Sequence, residues 1–159
     1  MEIKQILLRK TILADLEHFF EFQLDEEANY LAAFTSKDSK DKNSYIIKYS
    51  KFVNDSTKNL KTIIVDDKIV GSISTFVMHG DHEITYWIDK NHWGKGITSS
   101  ALRTFLKGEK VRPIFGRVAF DNYGSQRVLE KGGFVKVGSD FGFANARNAE
   151  IEEFVYKLS

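Results

Sequence analysis

One stretch of this chain leaves few folds open. Residues 84–88 read Ile-Thr-Tyr-Trp-Ile, β-branched and aromatic as a buried strand should be. Asp89-Lys90-Asn91-His92-Trp93 lead out of it and glycines follow at 94 and 96. Ile97, Ala101, Leu102, Phe105 and Leu106 then recur at helical spacing. A strand therefore runs through a glycine-bearing loop into a helix N-terminus. Glycines there let backbone N–H groups approach a ligand with no Cβ in the way. The first N–H groups of a helix lack internal partners, and the helix dipole adds positive potential. Such a junction binds anions, phosphates above all, and Lys95 adds a positive charge. A Gly-x-Gly pair alone can equally be shaping a turn. The loop is neither a Gly-x-x-x-x-Gly-Lys-Ser/Thr phosphate loop nor a Gly-x-Gly-x-x-Gly dinucleotide fingerprint, since Ser99 stands where the third glycine would fall.

Downstream comes Asp121-Asn122-Tyr123-Gly124-Ser125-Gln126-Arg127-Val128-Leu129-Glu130-Lys131-Gly132-Gly133-Phe134. Together the two stretches resemble the GNAT acetyltransferase superfamily, in particular its RimJ/RimL-like branch. The matching residues are Tyr86-Trp87, Trp93-Gly94-Lys95-Gly96-Ile97 and Ala101-Leu102 in the first stretch. In the second they are Asn122, Ser125, Arg127, Val128, Leu129, Glu130, Lys131, Gly133 and Phe134. The resemblance runs through most of the chain, with its sharp motifs between Glu83 and Phe134. It implies an α+β (mixed α/β) fold, with a single splayed, mostly antiparallel sheet of about seven strands flanked by about four helices. It also implies one acetyltransferase domain over residues 1–159.

Composition agrees with one globular domain. At 159 residues, 42% hydrophobic and 13% aromatic, the chain can bury a sizeable core. A net charge of +1 offers no broad basic field for nucleic acid or an anionic membrane. With no cysteine, disulfides, thiol catalysis and cysteine metal sites are excluded. The first five residues, Met1-Glu2-Ile3-Lys4-Gln5, lack the apolar run of a signal peptide, and no apolar segment approaches membrane-spanning length. The expectation is a cytoplasmic protein, monomer or homodimer, with no nucleic-acid or membrane partner.

Along the chain, residues 6–9 read as a first strand. Thr11 can cap a helix in which Leu13, Leu16, Phe20 and Leu24 share a face. After a polar stretch over 36–43, a second helix presents Tyr45, Tyr49 and Phe52 and ends at 54–57. Strands over 61–65 and 68–77 form a hairpin around Asp66-Asp67, and Gly80-Asp81 turns into the central strand. The glycine helix, a strand over 114–119, a short helix over 125–131 stopped by Gly132-Gly133, and strands over 134–137 and 151–158 complete the chain. The order β-α-α-β-β-β-α-β-α-β-β is that of the GNAT fold.

The resemblance implies acetyl-CoA as cosubstrate, lying where the central strand and the next one splay apart, and no metal. A strand with unpaired backbone groups can bond the amide-rich pantetheine arm as another strand would, which assigns Trp87, Ile88 and Asp89 to that arm. The pyrophosphate falls to the loop opened by Trp93, at the amides of Gly94, Lys95, Gly96 and Ile97, with the Thr98 and Ser99 hydroxyls nearby. Thr98, Ser99 and Ser100 are also ordinary helix-start residues. Asn122 is placed at the pantetheine, although Asp121-Asn122 suits a turn. Ser125 is implied near the thioester sulfur as the donor to the leaving thiolate, and it could equally cap the short helix. Arg127 and Lys131 are candidates for the CoA phosphates or members of a solvated helix face.

Acetyl transfer needs a neutral amine, a positioned thioester and a proton donor for the thiolate. An alkyl amine has a pKa of about 10, so a base or a water chain must take its proton. Glu83 matches a glutamate recurrent in this branch and is the candidate base, or else a structural acceptor; His79 and His82 compete for the role. The run His79-Gly80-Asp81-His82-Glu83 superficially suggests a metal site but reads better as a solvated turn, having no supporting ligands. Two positions depart from the wider family. Leu129 stands where many members carry a tyrosine acid, and Ser100 replaces a usual glutamate. The acceptor stays open among peptide N-termini, polyamines, amino sugars and small amines, with Tyr30, Phe34, Tyr45, Tyr49, Phe76 and His79 near its expected site. The alternative is a non-catalytic acyl-CoA-binding module or sensor.

Overall fold

The computed structural model describes residues 5–159; residues 1–4, where part of the signal-peptide reading falls, lie outside it. The sheet runs β1 (Ile6–Lys10), β2 (Asn59–Val65), β3 (Lys68–Met78), β4 (Asp81–Ile88), β5 (Ile114–Ala119), β7 (Ala149–Leu158) and β6 (Val135–Ala144) in spatial order. Every neighbouring pair is antiparallel except β4 with β5. The helices are α1 (Leu16–Gln23), α2 (Glu26–Ala32), α3 (Lys42–Val53), α4 (Ile97–Gly108) and α5 (Tyr123–Lys131). The expected α+β sheet of seven strands is present, with five α-helices among the described residues rather than about four.

The main core lies between the sheet and the α4/α5 side. Ile97, Ala101, Leu102 and Phe105 of α4 and Leu129 of α5 pack with Ile63, Ile73, Ile84, Ile114 and Val118 from the strands. The helical spacing of the α4 residues is what turns them onto one face. Helix α1 buries Leu16, Phe19 and Phe20, whereas α3 fully buries none of its residues and leaves Tyr45 and Tyr49 half-buried.

Several expectations change at the N-terminal helices. Thr11 is not the cap of the first helix, whose entry is capped at Ile12 and Asp15; its hydroxyl is buried 3.0 Å from that of Thr62. The chain enters α1 through a short 3-10 turn (Leu13–Asp15), where the Asp15 carboxylate accepts the Ile12 N–H at 3.0 Å. Arg9 donates to both oxygens of that carboxylate, at 2.7 and 2.8 Å, and the Thr62 hydroxyl donates at 2.8 Å. Helix α2 was not expected. Its signal is Asp25, which caps the Ala28 N–H at 2.8 Å ahead of acidic Glu26 and Glu27.

Three other boundaries shift. The β3–β4 turn is His79-Gly80, both with positive φ (52° and 84°), so β4 already begins at Asp81. Helix α5 is capped by Asn122, not Ser125. Strand β6 runs on to Ala144 because backbone pairing with β7 continues past Gly138, although the alternating Val135, Val137, Phe141 and Phe143 all lie exposed.

Candidate active site

Strands β4 and β5 pair in parallel over His82–Ile84 against Ile114–Gly116 and then separate, although β4 continues to Ile88 and β5 to Ala119. Backbone groups along a strand point alternately to its two edges. The Asp89 N–H donates to Val70 of β3 at 2.8 Å, and the Trp87 carbonyl lies against Gly71, where an added Cβ would come within 2.2 Å of it. The groups facing the gap are therefore those of Tyr86 and Ile88. The Ile88 carbonyl accepts the indole N–H of Trp93 at 2.9 Å, which leaves the Tyr86 groups and the Ile88 N–H on the open side. Of the residues assigned to the pantetheine arm, Trp87 and Asp89 thus turn their backbone groups toward β3. Trp87 lines the cavity described below, and its indole nitrogen is buried without a partner among the described residues.

The strand leads to the glycine loop. Gly94 and Gly96 both adopt left-handed backbone (φ 75° and 74°), a conformation glycine takes without a Cβ penalty. Gly96 is the N-cap of α4, and no side chain caps that helix among the described residues. Its first N–H groups face back over exposed Gly94, Lys95 and Gly96. Buried Ile97 anchors the first turn in the core, and half-buried Thr98 and Ser99 lie on it. The uncapped start of α4 thus leaves N–H groups without side-chain partners among the described residues, an arrangement whose chemistry suits an anion. Arg127 and Lys131 lie one turn apart on the exposed face of α5, which packs beside α4.

Asn122 does two structural jobs at the mouth of the gap. Its Oδ1 accepts the Ser125 N–H at 3.3 Å, and its Nδ2 donates to the Leu31 carbonyl of α2 at 3.3 Å. Arg147, from the β6–β7 turn, fixes the same loop. It donates from Nη1 and Nη2 to both oxygens of Asp121, each at 2.8 Å, and from Nε to the Tyr30 carbonyl at 2.7 Å. Neither Arg117 nor Arg147 is marked in the sequence, because partners distant along the chain leave no local pattern.

The gap opens into a cavity of about 980 Å³ on the side of α1 and α3. Phe19, Tyr45, Tyr49 and Phe52 form much of its wall, with Phe76 and His79 at the β3 end. Stacking at 5.3, 4.4 and 5.2 Å joins Phe20, Tyr45, Tyr49 and Phe52 in series. Burial pushes the Tyr45 and Tyr49 phenols above their ordinary range, so both stay neutral.

At the floor, buried Glu83 accepts from Arg117 Nε at 3.3 Å. The same guanidinium donates from Nη1 to Asp140 at 2.8 Å and to Glu153 at 3.4 Å. Three carboxylates thus share one cation. Burial pushes the Glu153 carboxyl up, Arg117 pulls it back, and Glu83 and Asp140 raise it again, for a net rise. Glu153 is a second acid at the floor, beside Arg117. No local signal marks Glu153, since residues 151–155 of the last strand are all half-buried and Glu152 stands beside it. His79 and His82 fall apart, one at the turn tip and one within β4.

Ser125, the third residue of α5, meets the phenol of Tyr86 with the two hydroxyl oxygens 2.7 Å apart. Burial pushes the Tyr86 phenol up to about 12, with the Ser125 hydrogen bond offsetting part of the rise. Leu129, by contrast, is core: 1% exposed, it fills the space beside Gly116, where an added Cβ would come within 2.8 Å of it.

Comparison with known proteins agrees with this geometry. A family model described as "Acetyltransferase (GNAT) domain" matches residues 5–135. "Probable N-acetyltransferase YjcK" of Bacillus subtilis (strain 168) is 40% identical over 81 residues, which cover 46% of this chain and 45% of that protein. "Ribosomal-protein-serine acetyltransferase" of Escherichia coli (strain K12) is 30% identical over 83 residues, 48% of this chain and 46% of that protein. The chain spans about half the length of the curated relatives it matches. Among solved structures, Mycobacterium smegmatis RimJ in complex with CoA-disulfide superposes with a TM-score of 0.78 at 20% identity, covering 96% of this chain and 81% of that one. That likeness is one of fold.

Proposed function

Because the chain belongs to the GNAT acetyltransferase family, we propose that it moves an acetyl group from acetyl-CoA to a primary amine by direct transfer in a ternary complex. The observation that carries this reading is the gap between β4 and β5, edged by unpaired strand groups and ending at the uncapped α4 with its left-handed glycines. In it the pantetheine arm bonds the free groups of Tyr86 and Ile88. The pyrophosphate takes the amides of residues 94–97 with the Thr98 and Ser99 hydroxyls, and Arg127 and Lys131 supply charge beyond. Asn122 closes the mouth. Ser125 serves as donor to the sulfur, and Glu83 as the base that receives the amine's proton. The acceptor enters from the aromatic cavity, where the carboxylates around Arg117 favour a cationic amine. Since the name of one relative specifies a ribosomal-protein serine, serine peptides belong in the acceptor panel with polyamines, amino sugars and small amines.

The test is a thermal-shift and calorimetric titration with acetyl-CoA and with desulfo-CoA. A ligand that binds only the folded state raises the melting temperature. Stabilisation by both, followed by thiol release with at least one amine, is expected. No binding at millimolar ligand would overturn the assignment. One observation favours a second reading, a non-catalytic acyl-CoA-binding module: Glu83 is already engaged by Arg117. Binding without turnover across the panel would select it.

A further inference from the structure

Tyr86 and Ser125 reach toward each other from β4 and α5. The Tyr86 Oη and Ser125 Oγ atoms are 2.7 Å apart, and the same phenol lies 3.3 Å from the Ser125 carbonyl oxygen. On the shorter line either oxygen can donate. A phenol is the more acidic hydroxyl and so the stronger donor, and both acceptors within its reach belong to Ser125. With the phenol as donor and Ser125 Oγ as acceptor on the 2.7 Å line, the serine's own hydrogen is directed away from Tyr86. A serine within a helix commonly turns its hydroxyl back onto the preceding turn. Here, among the described residues, the hydroxyl has Tyr86 as its partner instead. The tyrosine ring is held in turn, because it packs against the main core that contains Ile84, Ile88 and Leu129. Both residues line the cavity into which the β4–β5 gap opens.

We propose, resting on the acetyl-transfer reading above, that Tyr86 is a positioning residue whose phenol holds the Ser125 hydroxyl so that the serine hydrogen is presented to the CoA sulfur as it leaves. In that step the amine nitrogen bonds to the acetyl carbon and the carbon–sulfur bond breaks, its electron pair going to sulfur. The proton released by the amine goes to the Glu83 carboxylate or to solvent. Ser125 keeps its proton and donates a hydrogen bond to the sulfur anion, while Tyr86 stays a neutral phenol throughout. One residue thus serves the arm twice, with its backbone along the strand and its side chain behind the serine.

The experiment uses the full chain and CoA itself, and it needs no acceptor amine. The thiol of bound CoA is titrated by the ultraviolet absorbance of its thiolate, with desulfo-CoA affinity measured in parallel. One hydrogen bond to the anion lowers the titration midpoint of bound CoA by about one pH unit relative to free CoA. Tyr86→Phe and Ser125→Ala should each abolish that shift while keeping desulfo-CoA affinity within about twofold. The double variant should lose no more than either single one. Fluorotyrosine at position 86, a stronger donor in an unchanged ring, should move the midpoint further down. A wild-type midpoint equal to that of free CoA overturns the proposal. So does a Tyr86→Phe midpoint matching wild type while that of Ser125→Ala moves, or, should the phenylalanine variant fail to fold, a fluorotyrosine midpoint that does not move. Absence of desulfo-CoA binding to the wild type is a separate result, which removes the acetyl-transfer reading and the proposal with it.

Discussion

The indole nitrogen of Trp93 donates to the carbonyl of Ile88 at 2.9 Å, tying the glycine loop to the end of the central strand. That bond satisfies a strand group where no neighbouring strand continues. It also fixes where Gly94 starts relative to the gap. Trp93→Phe keeps an aromatic ring but frees the carbonyl. The loss of one hydrogen bond predicts CoA binding weakened roughly fivefold, with the folded secondary structure retained. Calorimetry with CoA and circular dichroism check both halves.

Two glycines near the gap should respond to alanine with opposite signs. Gly96 has φ 74° and open space around it, so alanine there meets backbone strain alone, costing about 1 kcal/mol. Gly124 lies in the first turn of α5, where alanine meets nothing within 4 Å and stabilises by about 0.5 kcal/mol. Urea denaturation of the two variants should move the midpoint down for Gly96→Ala and up for Gly124→Ala.

Asp15 sets an acid limit on stability. Burial pushes its carboxyl up, but Arg9, the Ile12 N–H and the Thr62 hydroxyl together pull it further down, leaving it below the ordinary carboxylate range. A folded pKa below the unfolded one stabilises above the unfolded value, about pH 4, and that stabilisation disappears as pH falls through the folded value. Asp15→Asn should therefore cost about 2 kcal/mol at neutral pH, where bonds to a charged group are lost. The gap between variant and wild type should close on acidification below about pH 4. Denaturant melts across that range measure it.

Glu83 and Arg117 offer a kinetic test. Glu83→Gln preserves shape and can still accept from Arg117, but it cannot take a proton. If Glu83 is the base, kcat falls about a hundredfold with an identified amine while CoA affinity is unchanged. Raising the pH, which supplies more free amine, should restore part of the loss. An equal rate for variant and wild type would remove Glu83 from the chemistry.

The strand-to-helix junction was legible because its signals are local. Apolar Ile84, Tyr86 and Ile88 alternate, glycines follow, and Ile97, Ala101, Leu102 and Phe105 repeat at helical spacing. Strand β6 was legible only at its start. Beyond Val137, Gly138 and Ser139-Asp140 interrupt the apolar pattern before Phe141 and Phe143 resume it, and only pairing with β7 holds this exposed stretch as a strand. The Asn122 cap was hidden by its neighbour, since Asn122 and Ser125 are both good caps and only the backbone decides between them. Arg117 lay out of reach for another reason. Its three carboxylate partners come from β4, β6 and β7, and no spacing in the chain announces that they meet. For Tyr86 the strand was visible, and its pairing with Ser125 depended on the packing of α5.

Joined directly through three residue pairs, β4 and β5 divide the sheet into two leaves, one of β1–β4 and one of β5, β7 and β6. Helices brace the leaves, and few rungs cross between them. A ligand that lays amide groups along the free edge of β4 supplies the missing rungs, and so changes how cooperatively the two leaves melt. Amide exchange in β5 and β7 should slow on CoA binding along with exchange in β4, even where no atom of the ligand reaches.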